Sequence, residues 1–195
     1  KQVQFYNGGN AGVQEGQATT TGYMLFKRFN RSISKTSPGV ASQNRPSIIF
    51  RLADFYLIYA EVANEVNPSD SRVLTYLNLV RERAGLPKVE ILNPGIVGNK
   101  ELQRAAIQRE RQIELATEGQ RYFDVRRWMI ADKDGEGRQN GYAHGMNVRG
   151  TINDTEEFNR VVETEKIVFN RKMYLQPIPD HEMRKTQNLV QNPGW

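Results

Sequence analysis

Glu110, Glu114 and Glu118 recur every four residues, a spacing that lines carboxylates along one face of a helix and is one way to hold metal ions. Carboxylate-bridged di-metal bundles also need a Glu-x-x-His partner, and neither His144 nor His181 follows a glutamate at that distance. These two histidines are the only ones in the chain, so the paired-histidine motif of zinc hydrolases is missing as well. There is no cysteine, which excludes disulfides, thiolate catalysis and cysteine-ligated metal. No Gly-x-Ser-x-Gly elbow is present, although a triad assembled in space leaves no mark on spacing. Gly8-Gly9-Asn10-Ala11-Gly12 lacks the Gly-Lys-Ser/Thr ending of a phosphate loop. Asp132, Asp134, Glu136 and Gly137 begin like a calcium loop, but its twelfth position is Ala143, and a solvated loop is expected instead. The expectation is therefore a protein that is not an enzyme, with no metal and no cofactor.

The glutamates then need another account. At 100° per residue, Leu102, Ala106 and Ile113 set an apolar direction for a helix over 100–117, and Glu110 lies about 40° from Ala106. A carboxylate facing a core needs a partner. The following helix offers Arg121 and Arg126, so Glu110 and Glu114 are expected to pair with them as a structural lock between two helices.

Aromatic rings are the remaining binding chemistry, because they stack on the apolar faces of sugars while polar neighbours take the hydroxyls. Phe5, Tyr6 and Tyr23 fall in irregular segments and are the candidate ligand contacts; Tyr142 is similarly placed. Tyr56, Tyr59, Tyr76 and Trp128 fall on helices, where packing is the expected role.

Mainly helical elements position these residues. Glycines break residues 1–50, with one extended stretch at Tyr23–Phe29. Arg51–Val66 reads as a helix with a stripe at Leu52, Phe55, Tyr59, Val62 and Val66, and with Ala60 small enough for close packing. Asn67-Pro68 stops it. Asp70 or Ser71 caps a second helix whose face is Val73, Leu77, Val80 and Ala84, ended by Gly85. A third helix runs over Lys100–Thr117 and a fourth over Gln120–Ile130, so two helical hairpins are expected, with tetratricopeptide-like spacing. Two such units fall short of the about three that a solenoid needs, so they must pack on something further. Residues 131–160 read as polar loop, and Pro177 and Pro179 force an extended tail before a short turn capped by Asp180.

The chain of 195 residues is expected to form a single domain. Its 27 basic and 22 acidic residues leave a net charge of +5, but the signs are interleaved, so no nucleic-acid partner is expected. No run approaches the ~18 apolar residues of a membrane helix. The start at Lys1 points to a processed or partial product.

Four blocks taken together resemble one family. They are Arg51-Leu52-Ala53-Asp54-Phe55-Tyr56-Leu57-Ile58-Tyr59-Ala60-Glu61, Leu77 to Gly85, Glu110 to Trp128, and Tyr174-Leu175-Gln176-Pro177-Ile178-Pro179 with the closing Gln191-Asn192-Pro193-Gly194-Trp195. In this order they look like the C-terminal region of the SusD/RagB family. The resemblance implies a mainly α, tetratricopeptide-like fold with long irregular loops. It implies a non-catalytic lipoprotein on the outer surface of the outer membrane that captures glycans, or peptides, beside a SusC-like TonB-dependent transporter. It also implies a longer protein, attached to the membrane only through a lipid anchor in an N-terminal half outside residues 1–195. The competing expectation is a tetratricopeptide-type scaffold that binds a protein or peptide and no sugar.

Overall fold

The computed structural model describes Tyr23, Leu25 and Lys27 and residues 47–133, 141–146 and 160–195; the backbone alone is considered at 160–165. The chain divides into two compact units, residues 45–128 and a second formed by 1–44 with 129–195.

The first unit is helical: α1 (Leu52–Val66), α2 (Arg72–Arg83), the short α3 (Val89–Leu92), a 3₁₀ turn at Pro94–Ile96, α4 (Lys100–Glu114) and α5 (Gln120–Arg127). The expected helical hairpin forms, with α2 folded back on α1. Of the predicted face of its second helix, Val73, Leu77 and Val80 are buried, whereas Ala84 is exposed and lies just past the helix end. The capping work at its start falls to Asp70, whose carboxylate accepts from Arg72 N at 2.9 Å. Gly85, at φ +76°, turns the chain out of the helix in a conformation that other side chains rarely adopt.

α1 corrects the predicted face. Ala53, Asp54, Leu57, Ala60 and Asn64 are buried, whereas Leu52, Phe55, Tyr59, Val62 and Val66 are exposed. The small Ala60 lets neighbours approach closely, as anticipated. Leu57, Leu77 and Ile107 are fully buried and form the centre of the core with Ala53, Ala60 and Val73.

α4 packs on α1 and α2 rather than closing tightly on α5. Its buried face is Gln103, Ile107, Glu110 and Arg111, so the predicted apolar direction is rotated: Leu102 and Ile113 face outward. Asn99 caps its start by accepting from Leu102 N. It ends at Glu114, three residues before the expected stop, because Arg51 Nη2 donates to the Glu114 carbonyl at 2.6 Å in place of a further turn. Thr117 and Gly119 then take left-handed conformations. α5 likewise ends at Arg127 rather than Ile130, with Met129 at φ +53°.

At the far ends of α1 and α4, Arg104 donates to both oxygens of Glu65 at 2.7 and 2.8 Å, and Lys100 lies 3.0 Å from the same carboxylate. The Arg104 hydrogen bonds, against a smaller opposing effect of burial, lower the Glu65 pKa from 4.5 to about 2. The pair's contribution is complete above about pH 4.5 and is lost as pH falls toward 2. The site is solvent-screened, so Glu65→Gln is expected to cost under about 1 kcal/mol in urea unfolding at pH 7. That difference should vanish on approaching pH 2; a pH-independent penalty would show that the carboxylate's charge is not the cause.

The second unit departs from expectation. Within the stretch read as polar loop, β1 (Gly141–Met146) pairs antiparallel with β2 (Arg160–Ile167), with a register shift between Tyr142 and His144. Lys166, opposite Tyr142, places its Nζ 5.9 Å from the ring centroid. A 3₁₀ turn at Arg171–Tyr174 and α6 (Asp180–Met183) follow. Asp180 is the first residue of α6, not its cap, and Pro179 occupies the cap position. Pro177 and Pro179 lack amide hydrogens, so Ile178 is the one of the three with an amide to donate: Gln191 accepts from Ile178 N at 2.8 Å and donates to Ile178 O at 2.9 Å, as a neighbouring strand would. Trp195 Nε1 donates to the carbonyls of Lys172 and Leu175, and Lys172 Nζ lies 4.2 Å from the ring centroid. Architecture among the described residues is thus mainly α with one small sheet.

Candidate functional site

Of the aromatic candidates, Phe5 and Tyr6 lie outside the described residues. Tyr23 is described and is 56% exposed. Tyr142 is also exposed, on β1. Tyr56 and Tyr59 both pack against Tyr76, with centroids 5.3 and 4.5 Å apart, in keeping with a packing role. Trp128 is fixed by its Nε1, which donates to Glu61 at 2.7 Å.

The charged cluster is centred on Arg111, whose side chain is 3% exposed. Its Nε and Nη2 donate to the two oxygens of Asp124 at 2.9 and 3.1 Å, and its Nη1 donates to Asp54 at 2.9 Å. One guanidinium therefore joins α4 to α5 and to α1, using the planar fork that matches a carboxylate in two places. Asp124 also accepts from Arg127 Nε at 2.9 Å, and Arg127 reaches on to Glu61, with Nη2–Oε2 at 2.6 Å. Burial opposes the charge on Arg127, but Glu61 and Asp124 more than offset it, and its pKa is raised.

A second cluster closes the other end. Arg51 donates to Glu118 at 2.7 and 2.9 Å and to Glu114 at 2.5 Å, and Arg83 donates to the same Glu114 oxygen at 2.6 Å. Arg51 is likewise held charged: burial works against it, and the two carboxylates prevail.

The residues expected to form the lock are placed differently. Glu110 is buried, as the helical wheel indicated, but its partner is Arg81 on α2 at 2.9 Å. Glu114 is taken by Arg51 and Arg83. Arg126 donates to the Tyr122 carbonyl at 3.0 Å and lies over the Tyr122 ring, while Arg121 lies over the Trp128 ring at 5.9 Å. The lock across α4 and α5 is instead Arg111–Asp124. The apolar direction set by Leu102, Ala106 and Ile113 turns Arg111 away from the core, where the structure buries it. The signal that points to them is Asp54, the one charge in the apolar run from Leu52 to Ala60, which requires a cation from elsewhere once that face is buried.

Chemically, these carboxylates accept from arginines whose charge is fixed, an arrangement that holds helices together and has little capacity to move protons. Among the described residues, no group of three acidic or histidine side chains is arranged to hold a metal ion. In the second unit, Asp132 accepts from Tyr174 Oη at 2.6 Å, which lowers its pKa; burial and the same contact raise that of Tyr174. Glu136 and Gly137 lie outside the described residues.

A tetratricopeptide-like helical hairpin with a further helix packed on it, tied by buried arginine–carboxylate pairs, defines the class. The model of the SusD family matches residues 1–195, and the chain belongs to that family. It is 44% identical over 106 residues to the SusD-like protein P25 of Formosa agariphila, covering 54% of this chain and 19% of that protein. It is 31% identical over 153 residues to the SusD-like protein P2 of the same organism, covering 76% of this chain and 26% of that one. Among solved structures, BT4246 superposes with a TM-score of 0.62 at 34% identity, over 78% of this chain and 25% of that one. A SusD-like protein from Bacteroides fragilis gives 0.61 at 31% identity, over 76% and 26%. The chain thus spans about a quarter or less of the length of each of these proteins.

Proposed function

We propose that residues 1–195 are the C-terminal part, acting as one domain, of a non-catalytic binding protein on the outer surface of the outer membrane. It captures glycans for uptake through a SusC-like TonB-dependent transporter. The observation that carries this reading is the family match along the whole chain. The likeness to SusD-like proteins in sequence and in fold supports it. No helix among the described residues is long and apolar enough to cross a membrane, and a lipid anchor outside this span provides attachment in this reading. Phe5, Tyr6 and Tyr23 are the proposed sugar-stacking residues, of which Tyr23 is described and exposed.

Affinity electrophoresis through gels containing soluble polysaccharides tests the reading. At least one glycan is expected to retard the protein, and Tyr23→Ala should weaken that retardation by about 1 kcal/mol or more in apparent affinity. Absence of retardation across a broad panel, together with capture of a peptide ligand, would replace glycan binding by the scaffold reading.

A further inference from the structure

Along β1, Tyr142 and His144 are exposed, whereas Gly141 and Ala143 are partly covered and Gly145 is buried. A strand turns alternate side chains to opposite faces, so the tyrosine and the histidine share the outer face of the hairpin. Lys166 stands opposite Tyr142 on β2 and is exposed as well. Its ammonium, 5.9 Å from the Tyr142 ring centroid, is at the outer limit of a cation–π contact, so the ring takes up little of its charge. Lys88, Lys100 and Lys185 each lie against a glutamate, but among the described residues Lys166 has no such partner. The pairing runs from Tyr142 to His144 on β1 while it runs from Lys166 to Val162 on β2. Irregularities of this kind bend a strand and re-aim its side chains. One exposed aromatic residue needs no explanation. A ring, an imidazole and an ammonium without a carboxylate, gathered on one small hairpin, are a set with complementary chemistry.

We propose that this face is a glycan contact additional to Phe5, Tyr6 and Tyr23, and that it takes a sugar bearing an anionic substituent. This contact rests on the glycan-binding reading above and adds the charge of the ligand. The Tyr142 ring stacks on the apolar face of one sugar ring. Lys166 pairs with the carboxylate or sulfate of the same sugar, and the His144 imidazole hydrogen-bonds to a hydroxyl. A neutral sugar gains the stacking and nothing from Lys166. A free anion gains Lys166 and no stacking. The pair therefore selects a ligand that has both, and it sits on paired strands, which hold side chains more firmly than loops do.

Affinity electrophoresis of the protein through gels containing polygalacturonate, a carrageenan or a neutral galactan tests this, and the first two polymers tell a carboxylate from a sulfate. At least one acidic polymer should retard the protein. Tyr142→Ala and Lys166→Gln should each weaken that retardation by about 5-fold or more in apparent affinity, while Tyr142→Phe, which keeps the ring, stays within about 2-fold. Lys185→Gln removes the same charge from another exposed lysine and controls for diffuse attraction between a chain of net charge +5 and a polyanion. It should leave the retardation unchanged. Equal losses from Lys166→Gln and Lys185→Gln overturn the proposal, as does a Tyr142→Ala variant that binds like the unaltered protein. Retardation by neutral glycans alone also overturns it and leaves glycan binding standing, whereas failure of every glycan, acidic or neutral, removes both. Urea unfolding of Tyr142→Ala and Lys166→Gln should match that of the unaltered protein, because both side chains are exposed, so that weaker retardation reads as a lost contact.

Discussion

Arg111→Ala is expected to lower the unfolding free energy by about 3–5 kcal/mol in urea titration at neutral pH. The side chain is 3% exposed, and its loss strands Asp54 and Asp124, whose side chains are 7 and 4% exposed. Removing one partner of such a cluster costs far more than the cluster contributes, because the remaining charges stay desolvated. Asp124 retains Arg127, whereas Asp54 has Arg111 as its cation, so the penalty should concentrate at the α1 end. Two companion variants separate this mechanism from simple loss of volume. Arg111→Lys keeps the charge but cannot span three oxygens on two carboxylates, so it should restore only part of the stability. The triple change Asp54→Leu, Arg111→Met, Asp124→Leu removes the charges together and should cost much less than Arg111→Ala alone. If Arg111→Ala unfolds within about 0.5 kcal/mol of the unaltered chain, the buried pairs do not hold α1, α4 and α5 together.

The helices of the first unit were legible because their periodicity is strong, but their faces were legible unequally. On α2 Val73, Leu77 and Val80 recur along one side and identify the core directly, although Leu79 is left exposed. On α1 both sides are apolar, and size misleads: Phe55 and Tyr59 look like core residues, yet the packed side is built from Ala53, Leu57 and Ala60, with Asp54 and Asn64 among them. On α4 Leu102 and Ile113 point away from the packed side, which holds Gln103, Ile107, Glu110 and Arg111, so a wheel centred on the apolar pair leaves Arg111 facing solvent. The early helix ends at Glu114 and Arg127 were not legible, since nothing about Thr117 or Met129 beyond them announces a positive φ. The hairpin of β1 and β2 was missed for another reason. Gly141-Tyr142-Ala143-His144-Gly145-Met146 has weak strand character, and its partner lies well along the chain, where pairing is a tertiary outcome. The candidate binding residues stand where the sequence left them: Tyr23 is exposed, and Phe5 and Tyr6 lie outside the described residues.

The phase of α1 gives the second large effect, as a contrast between two residues two positions apart. Leu57→Ala is expected to cost about 2–5 kcal/mol in residues 1–195, because Leu57 is fully buried between α2 and α4 and its removal leaves a cavity that those helices close only in part. Phe55 is the larger side chain, and from size alone Phe55→Ala would be the more damaging change. It is 57% exposed, so in the same chain it should cost within about 0.5 kcal/mol. Thermal or urea unfolding of the two variants side by side decides which row of α1 faces the core. A larger loss for Phe55→Ala than for Leu57→Ala would turn the helix by the roughly 160° that separates the two positions on the wheel and return it to the face its large residues advertise.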